Sequence, residues 1–329
     1  MKILHIITRL IVGGAQENTL LTCEGLHQRG HEVTLLTGPS PGPEGTLMDR
    51  ARAGGYRVIL SPHLVRNPHP WHDWRAGAEI RKLCAELQPD VVHTHSSKAG
   101  IVGRKAAWAW KIKHRDSGPV VVHTIHGLPF HPYQNSMVNA LWIALEKKAA
   151  QRCDGIICVA DAMTRQARAA GVGADRPADF FTTVYSAMET EAFLNPGVTR
   201  EEVRERLGIP ASAYVFGTIA RLQPLKGHDD LLAHAGELFA KVPDAHLLWV
   251  GDGAFRQRFE AILREKGWEK RVTMTGLVPP AEVPRLVPTM DVLVHPSYRE
   301  GLARALPQAL LAGVPVISYD CDGAAEVCI

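Results

Sequence analysis

Along the chain, short runs rich in Val, Ile and Leu alternate with longer stretches in which apolar residues recur every three or four positions. The short runs of the first half are KILHIIT, EVTLLTG, RVILSP, VVHTH, VVVHTIH and GIICVA; those of the second are YVFGTIA, HLLWVGD, RVTMTG, DVLVHP and VPVISY. Near-continuous apolar runs separated by helical segments are the pattern of parallel strands buried on both faces. The stretch GAQENTLLTCEGLHQRG, closed by Gly30, reads as one of those helices. The pattern predicts an α/β chain that builds one parallel-sheet architecture twice.

At 329 residues the chain exceeds what one core usually supports, so two domains are expected. The segment from Ser186 to Pro210 lacks buried-strand character and carries Pro196, Gly197 and a capping-box pattern from Thr199 to Glu202. It is the expected hinge, dividing the chain into domains 1–190 and 191–329. Open parallel sheets place ligands at the carboxyl ends of their strands, so a cleft between two such domains would collect loops from both.

A hydrophobic fraction of 46% with 22% charged residues supports two buried cores, and a net charge of +3 is too weak to indicate nucleic acid. Cys23, Cys84, Cys153, Cys158, Cys321 and Cys328 form no CxxC pair and no zinc spacing, which fits buried thiols in a reducing compartment. The N-terminal apolar run is broken by His5, Thr8 and Arg9, so it reads as a first strand rather than a signal peptide. No apolar run reaches the ~18 residues of a spanning helix. The expected location is the cytoplasm. A peripheral contact on the inner membrane face is left open by GRKAAWAWKIKHR, which sets Trp108 and Trp110 among five Lys and Arg residues and His114. The other reading of that stretch is a helix packing its Trp residues inward.

Candidate chemistry clusters at strand ends. Gly13 and Gly14 allow a tight turn that points amides at an anion, or a turn with no ligand. Arg221 and Lys226 lie five residues apart after YVFGTIA, as a fork and a point charge able to close on a diphosphate, or as a solvated basic loop. VGDG, with Gly251 and Gly253, departs from a dinucleotide fingerprint because Arg256 stands at the third glycine. Asp320 and Asp322 in DCD have no further carboxylate to complete a cation site. His93 with His95, and His123 with His126, fall at two successive strand ends; hydrogen bonding to a ligand suits them better than metal. Glu300 and Gln308, eight residues apart, either grip a ligand from one helical face or cap a helix.

The ordered set GGAQ, HTHSSKAGIVGR, HTIHGLPFHP, ARLQPLKG, VGDG, TGLV and HPSYREGLARALPQALLAGVPVIS resembles the retaining glycosyltransferases of family 4, over nearly the whole chain. The last element resembles that family's Glu-x7-Glu signature, with Glu300 first and Gln308 second. The resemblance implies the GT-B fold, two Rossmann-like domains facing across a cleft. It implies transfer of a sugar from a nucleotide-diphosphate sugar, a UDP-sugar being expected, to a glycan or lipid-linked glycan of capsule, exopolysaccharide or cell-envelope assembly. By the same resemblance Arg221 and Lys226 bind the donor diphosphate, Glu300 orients the donor sugar, Gln308 contacts the ribose and His126 lies near the transferred sugar. Gly14, Gly251, Gly253, Gly301 and Leu302 belong to the donor-binding loops. Retention without a carboxylate nucleophile implies front-face attack, in which the departing phosphate takes the acceptor's proton. No metal or other cofactor is called for.

The sequence departs from that pattern in four places. Gln308 replaces a carboxylate, which predicts weaker donor binding. Ala303 replaces a glycine, which predicts a backbone less able to approach phosphate. The hinge reads YSAMETEAF without the family's Asn-Gly pair, and the chain stops at Ile329, before the family's closing elements, so an incomplete second domain is expected. Two rival functions follow, a non-catalytic nucleotide-sugar binding or assembly protein and a UDP-sugar epimerase.

Overall fold

A computed structural model describes residues 1–42, 44–114 and 118–328. The chain forms two compact units, Met1–Met188 and Glu189–Ile329. In the first, strands β1 (Lys2–Arg9), β2 (Glu32–Gly38), β3 (Arg57–Leu60), β4 (Val91–His95), β5 (Val120–Ile125), β6 (Gly155–Cys158) and β7 (Phe181–Thr183) form one parallel sheet in the order β3-β2-β1-β4-β5-β6-β7. Its connections carry helices α1 (Gly14–Gln28), α2 (Met48–Ala53), α3 (Pro70–Leu87), α4 (Ser97–Lys113), α5 (Ser136–Ala150) and α6 (Asp161–Ala169).

In the second unit, β8 (Tyr214–Ile219), β9 (Ala245–Val250), β10 (Val272–Met274), β11 (Val292–His295) and β12 (Val316–Ser318) form a parallel sheet ordered β10-β9-β8-β11-β12. Its helices are α7 (Glu191–Leu194), α8 (Arg200–Arg206), α9 (His228–Lys241), α10 (Arg256–Lys266), α11 (Val283–Leu286) and α12 (Ala305–Leu311). Every residue of β9 is buried, and neighbours along it serve opposite faces. Leu247 and Trp249 pack with Phe239, Phe259 and Leu263, while Leu248 and Val250 pack with Val215, Leu293 and Leu306. That two-sided burial is why the strands read as continuous apolar runs.

The strand order reverses between β1 and β4 in one sheet and between β8 and β11 in the other. At such a switch point the two connections leave in opposite directions and open a crevice at the carboxyl ends. The crevice of the first unit is flanked by the segments after Arg9 and His95, and that of the second by the segments after Ile219 and His295.

The hinge expectation needs a correction. Past the division at Glu189, the segment contributes Phe193, Val203 and Ile209 to the core of the second unit. Thr199 and Glu202 form a complete reciprocal capping box on α8, and buried Arg204 ties that helix to Thr289, Ala213 and Asp291. Most of Ser186–Pro210 is thus built into one domain. Strand β7 is an addition that the pattern did not foresee.

Candidate functional site

In the second unit the loop after β8 and the loop after β11 meet at the switch point. Lys226 Nζ donates to Glu300 Oε1 at 2.5 Å, and His295 Nε2 lies 3.0 Å from the same oxygen. The Glu300 backbone N–H donates to Asp322 Oδ2 at 2.5 Å. Burial opposes the charge on Glu300, but the Lys226 ammonium and the His295 ring more than offset it and hold the carboxyl well below the usual carboxylate range. Glu300 is therefore an ionised acceptor, fixed at its side chain and at its backbone.

The two loops are also stitched by main chain. The Leu225 carbonyl accepts from Ser297 Oγ at 3.1 Å and from the Tyr298 N–H at 3.0 Å. Leu225 itself has φ 65°, a left-handed conformation that costs a non-glycine residue about 1–3 kcal/mol. Gly227, with φ 75°, caps α9, and a Cβ there would fall 2.0 Å from the Pro296 carbonyl oxygen. Only glycine lets the α9 N-terminus approach the β11 loop so closely. Gly251 and Gly253 serve a similar contact, since a Cβ at either would fall 2.2 Å from Ala220 O or 2.3 Å from Leu222 O. These glycines hold the loop after β9 against the backbone that carries Arg221.

Arg221 is exposed beside this site. Gln308 is half-buried on α12. The expectation that Glu300 and Gln308 share a helical face is corrected: α12 begins at Ala305, so Glu300 lies in the preceding loop. Its side chain does not cap that helix either. Ala303 lies in the core of the second unit, its methyl buried in the cluster with Leu306, Val314 and Ala324. Gly301 is buried and Leu302 half-buried, and their backbone N–H groups make no hydrogen bond to a described residue. His295 and Asp322 were not foreseen as partners of Glu300; the available signal was a histidine at a strand end five residues before the acid.

In the first unit, β1 pairs with β4 so that His5 faces His93, which brings His5, His93 and His95 together. His5 Nδ1 lies 3.0 Å from His95 Nε2, and His95 Nδ1 lies 3.1 Å from His126 Nε2 just beyond β5. His93 Nε2 bonds Thr124 Oγ1 at 2.7 Å, and His123, on the other face, bonds Thr94 Oγ1 at 2.9 Å. Burial pushes His5, His95 and His123 well below the ordinary imidazole range and His93 to about 4, so all four are neutral. Ring nitrogens of His5, His93 and His95 lie within 4.8 Å of one another, a spacing a metal could use. Two of those rings already hydrogen-bond each other. Beside the chain is a cavity of about 250 Å³ lined in part by Ala15, Ser96, Ser97, His126 and Glu146. Gly14 is the first residue of α1, next to Ala15.

The basic stretch on α4 is less cationic at its surface than its sequence suggests. Arg104 is fully buried, donating to Glu146 at 2.7 Å and to the Gly100 carbonyl. Removing either partner would strand a buried charge at a cost of about 3–5 kcal/mol. Lys111 pairs with Asp154 and lies over the Trp108 ring, and Trp110 stacks on His114; Arg115 lies outside the described residues. Exposed apolar side chains occur on α5, where Met137 is 79% and Leu141 59% exposed, as well as at Trp71 and Trp74 on α3 and Ile112 on α4. No described helix is long and apolar enough to cross a membrane.

Two parallel sheets, each with loops meeting at its switch point, define a doubly wound α/β protein of two units. Residues 12–178 match Glycosyltransferase Family 4 and residues 199–329 match Glycosyl transferases group 1. The chain belongs to glycosyltransferase family 4 and is a glycosyltransferase with the Rossmann-like domains of the GT-B fold. It is 27% identical to the UDP-Gal:alpha-D-GlcNAc-diphosphoundecaprenol alpha-1,3-galactosyltransferase of Escherichia coli, over 98% of this chain and 80% of that protein. It is 28% identical to a GDP-mannose-dependent alpha-(1-6)-phosphatidylinositol monomannoside mannosyltransferase of Mycobacterium tuberculosis, over 91% of this chain and 74% of that protein. The crystal structure of Anabaena Alr3699/HepE in complex with UDP and glucose superposes with a TM-score of 0.79 at 20% identity, covering 99% of this chain and 82% of that one.

Proposed function

We propose that this glycosyltransferase moves a sugar from a UDP-sugar to a hydroxyl of a glycan or lipid-linked glycan with retention at the anomeric carbon. The observation that carries the reading is the Lys226–Glu300–His295 cluster at the switch point of the second sheet. An ammonium has three donors, and Lys226 uses one of them on Glu300, so the others serve the donor diphosphate together with exposed Arg221. The unbonded N–H groups of Gly301 and Leu302 suit the same phosphates, and Gln308 suits the ribose. Gly251 and Gly253 shape the donor loop. On the acceptor-side unit, His126 is assigned to the transferred sugar and Gly14 to the loop between acceptor and diphosphate.

In the proposed step the bond from C1 to the diphosphate oxygen breaks, and its electron pair stays on the phosphate. The acceptor oxygen bonds to C1 on the same face and gives its proton to the departing phosphate. Preorganised cations stabilise the charge as it develops. Glu300 is so strongly acidified by its partners that it is a weak base and nucleophile, which supports a role in holding sugar hydroxyls and an oxocarbenium-like centre. No metal is required in this scheme. UDP is favoured by the E. coli relative and the HepE complex, whereas the mycobacterial relative is named for GDP-mannose. We assign a peripheral membrane contact to exposed Met137, Val138 and Leu141 on α5, with Lys147 and Lys148 farther along the helix.

The test is thermal stability with UDP-, GDP- and ADP-sugars. Saturation at 100 times Kd stabilises a fold by about 2.7 kcal/mol. A shift selective for UDP-sugars and lost in Lys226→Ala is the expected result. No shift with any donor in a folded chain overturns the proposal, and a shift with GDP- or ADP-sugars alone overturns the nucleotide.

A further inference from the structure

We infer that His5 and His95 are positioning residues that fix the proton of His126 on Nδ1, through a one-way chain of hydrogen bonds running outward from the core. This rests on the assignment of His126 to the reacting sugar.

The chain has three rings and two bonds: His5 Nδ1 to His95 Nε2 at 3.0 Å, then His95 Nδ1 to His126 Nε2 at 3.1 Å. A neutral imidazole has one N–H and one lone pair, so the middle ring must donate on one side and accept on the other. His95 is 1% exposed and neutral, so the whole chain is committed to one direction. Either every ring carries its proton on Nδ1, or every ring carries it on Nε2. The tautomer at the inner end therefore sets the tautomer at the outer end.

The inner end decides between them. His5 is 0% exposed, and its Nε2 has no hydrogen-bond partner. With protons on Nε2, a buried N–H would be left without an acceptor there. With protons on Nδ1, only a lone pair is left. Orphaned buried donors are the rarer defect in proteins. The favoured direction is thus His5 Nδ1–H to His95 Nε2 and His95 Nδ1–H to His126 Nε2. His126, which lines the cavity, is left with its N–H on Nδ1. Its role is then that of a hydrogen-bond donor to a sugar or phosphate oxygen, rather than of a base at Nδ1. His93 is packed against His95 with ring centroids 4.2 Å apart but is tied to Thr124, so it braces the chain without joining it.

The experiment is nitrogen-15 NMR of histidine-labelled full-length chain, with the rings assigned through single variants. The expected result is the Nδ1–H signature at His5, His95 and His126 together; an Nε2–H signature at His126 in the unaltered chain overturns the inference. In His95→Phe the His126 signature should move toward the Nε2–H form, and UDP release from UDP-galactose or UDP-glucose should fall about 10- to 100-fold, the range for loss of a partner that orients a functional histidine. His95→Asn, whose amide keeps a donor near the Nδ1 position, should restore both. His5→Asp, whose carboxylate can only accept from His95 Nε2 and so reverses the chain while leaving the outer bond in place, covers the case in which His95→Phe does not fold and should shift the signature in the same direction. An unmoved signature in the folded variants overturns the chain while leaving the function standing. Full turnover in His126→Ala overturns the assignment of His126 instead.

Discussion

Glu300 Oε1 is reached from two sides, by Lys226 Nζ at 2.5 Å and by His295 Nε2 at 3.0 Å. Lys226 follows β8 and His295 ends β11, the two strands at which the second sheet changes direction. The topology, rather than any local sequence code, brings a cation and a carboxylate 74 residues apart into contact.

Because the Glu300 carboxyl is acidified in the folded chain, the unfolded chain takes up that proton first as pH falls. Its contribution to stability is complete above the unfolded value near pH 4.3 and is lost as pH falls through the lower folded value. Glu300→Gln should cost about 1.5–3 kcal/mol at pH 7, the range for hydrogen bonds to charged groups. The gap to the unaltered chain should narrow below about pH 4. Urea denaturation at both pH values checks this, and an equal gap would contradict it.

Lys226→Ala should lower turnover by about 10²- to 10³-fold, the effect of removing one preorganised donor at a developing charge. Arg221→Ala should act in the same direction. Steady-state kinetics on the donor selected by thermal shift supply the measurement, and unchanged turnover would remove either residue from the diphosphate site.

Gln308→Glu should tighten the nucleotide sugar about fivefold, since a charged acceptor strengthens a ribose hydrogen bond by roughly 1 kcal/mol over a neutral amide. Calorimetric titration would show it. A variant that binds no tighter counts against ribose contact at this position.

His228 is buried on the first turn of α9 against Trp249 and Phe259, with neither ring nitrogen hydrogen-bonded and with burial lowering its pKa to about 4. His93 and His246 are lowered to the same range by burial. In each case the unfolded chain binds the proton first, so stability should decline as pH falls from about 6.5 toward 4. His228→Phe removes one of these groups and fills the same aromatic site, so it should flatten that decline without loss of stability at pH 7. Thermal melts from pH 7 to pH 4.5 would reveal the change, and an unaltered slope would refute it.

Met137→Asp combined with Leu141→Asp should abolish co-sedimentation with vesicles rich in anionic lipid while leaving the melting temperature unchanged, because both side chains are exposed. Equal sedimentation of the variant would place any membrane contact elsewhere.

Continuous apolar runs marked both sheets because two-sided burial leaves its trace in every strand. Strand β7 escaped because FTT is three residues long and lies at the sheet edge, where burial leaves little pattern. The candidate cations and Glu300 were visible as charges at strand ends, but their contact depends on strand order, which periodicity does not encode. His5 was unreadable for the same reason: its register with His93 is a property of the pair of strands. The helical face imagined for Glu300 and Gln308 failed because the chain turns through Gly301 and Ala303 before α12 begins.

At Gly227, Gly251 and Gly253, backbone touches backbone with no room for a single added methyl. For retargeting the enzyme to another donor, this separates a fixed chassis from an adjustable lining. On the proposed donor site, libraries that vary Leu302 and Gln308 would explore new specificities, whereas any library that includes those three glycines would fill with chains whose loops no longer fit together.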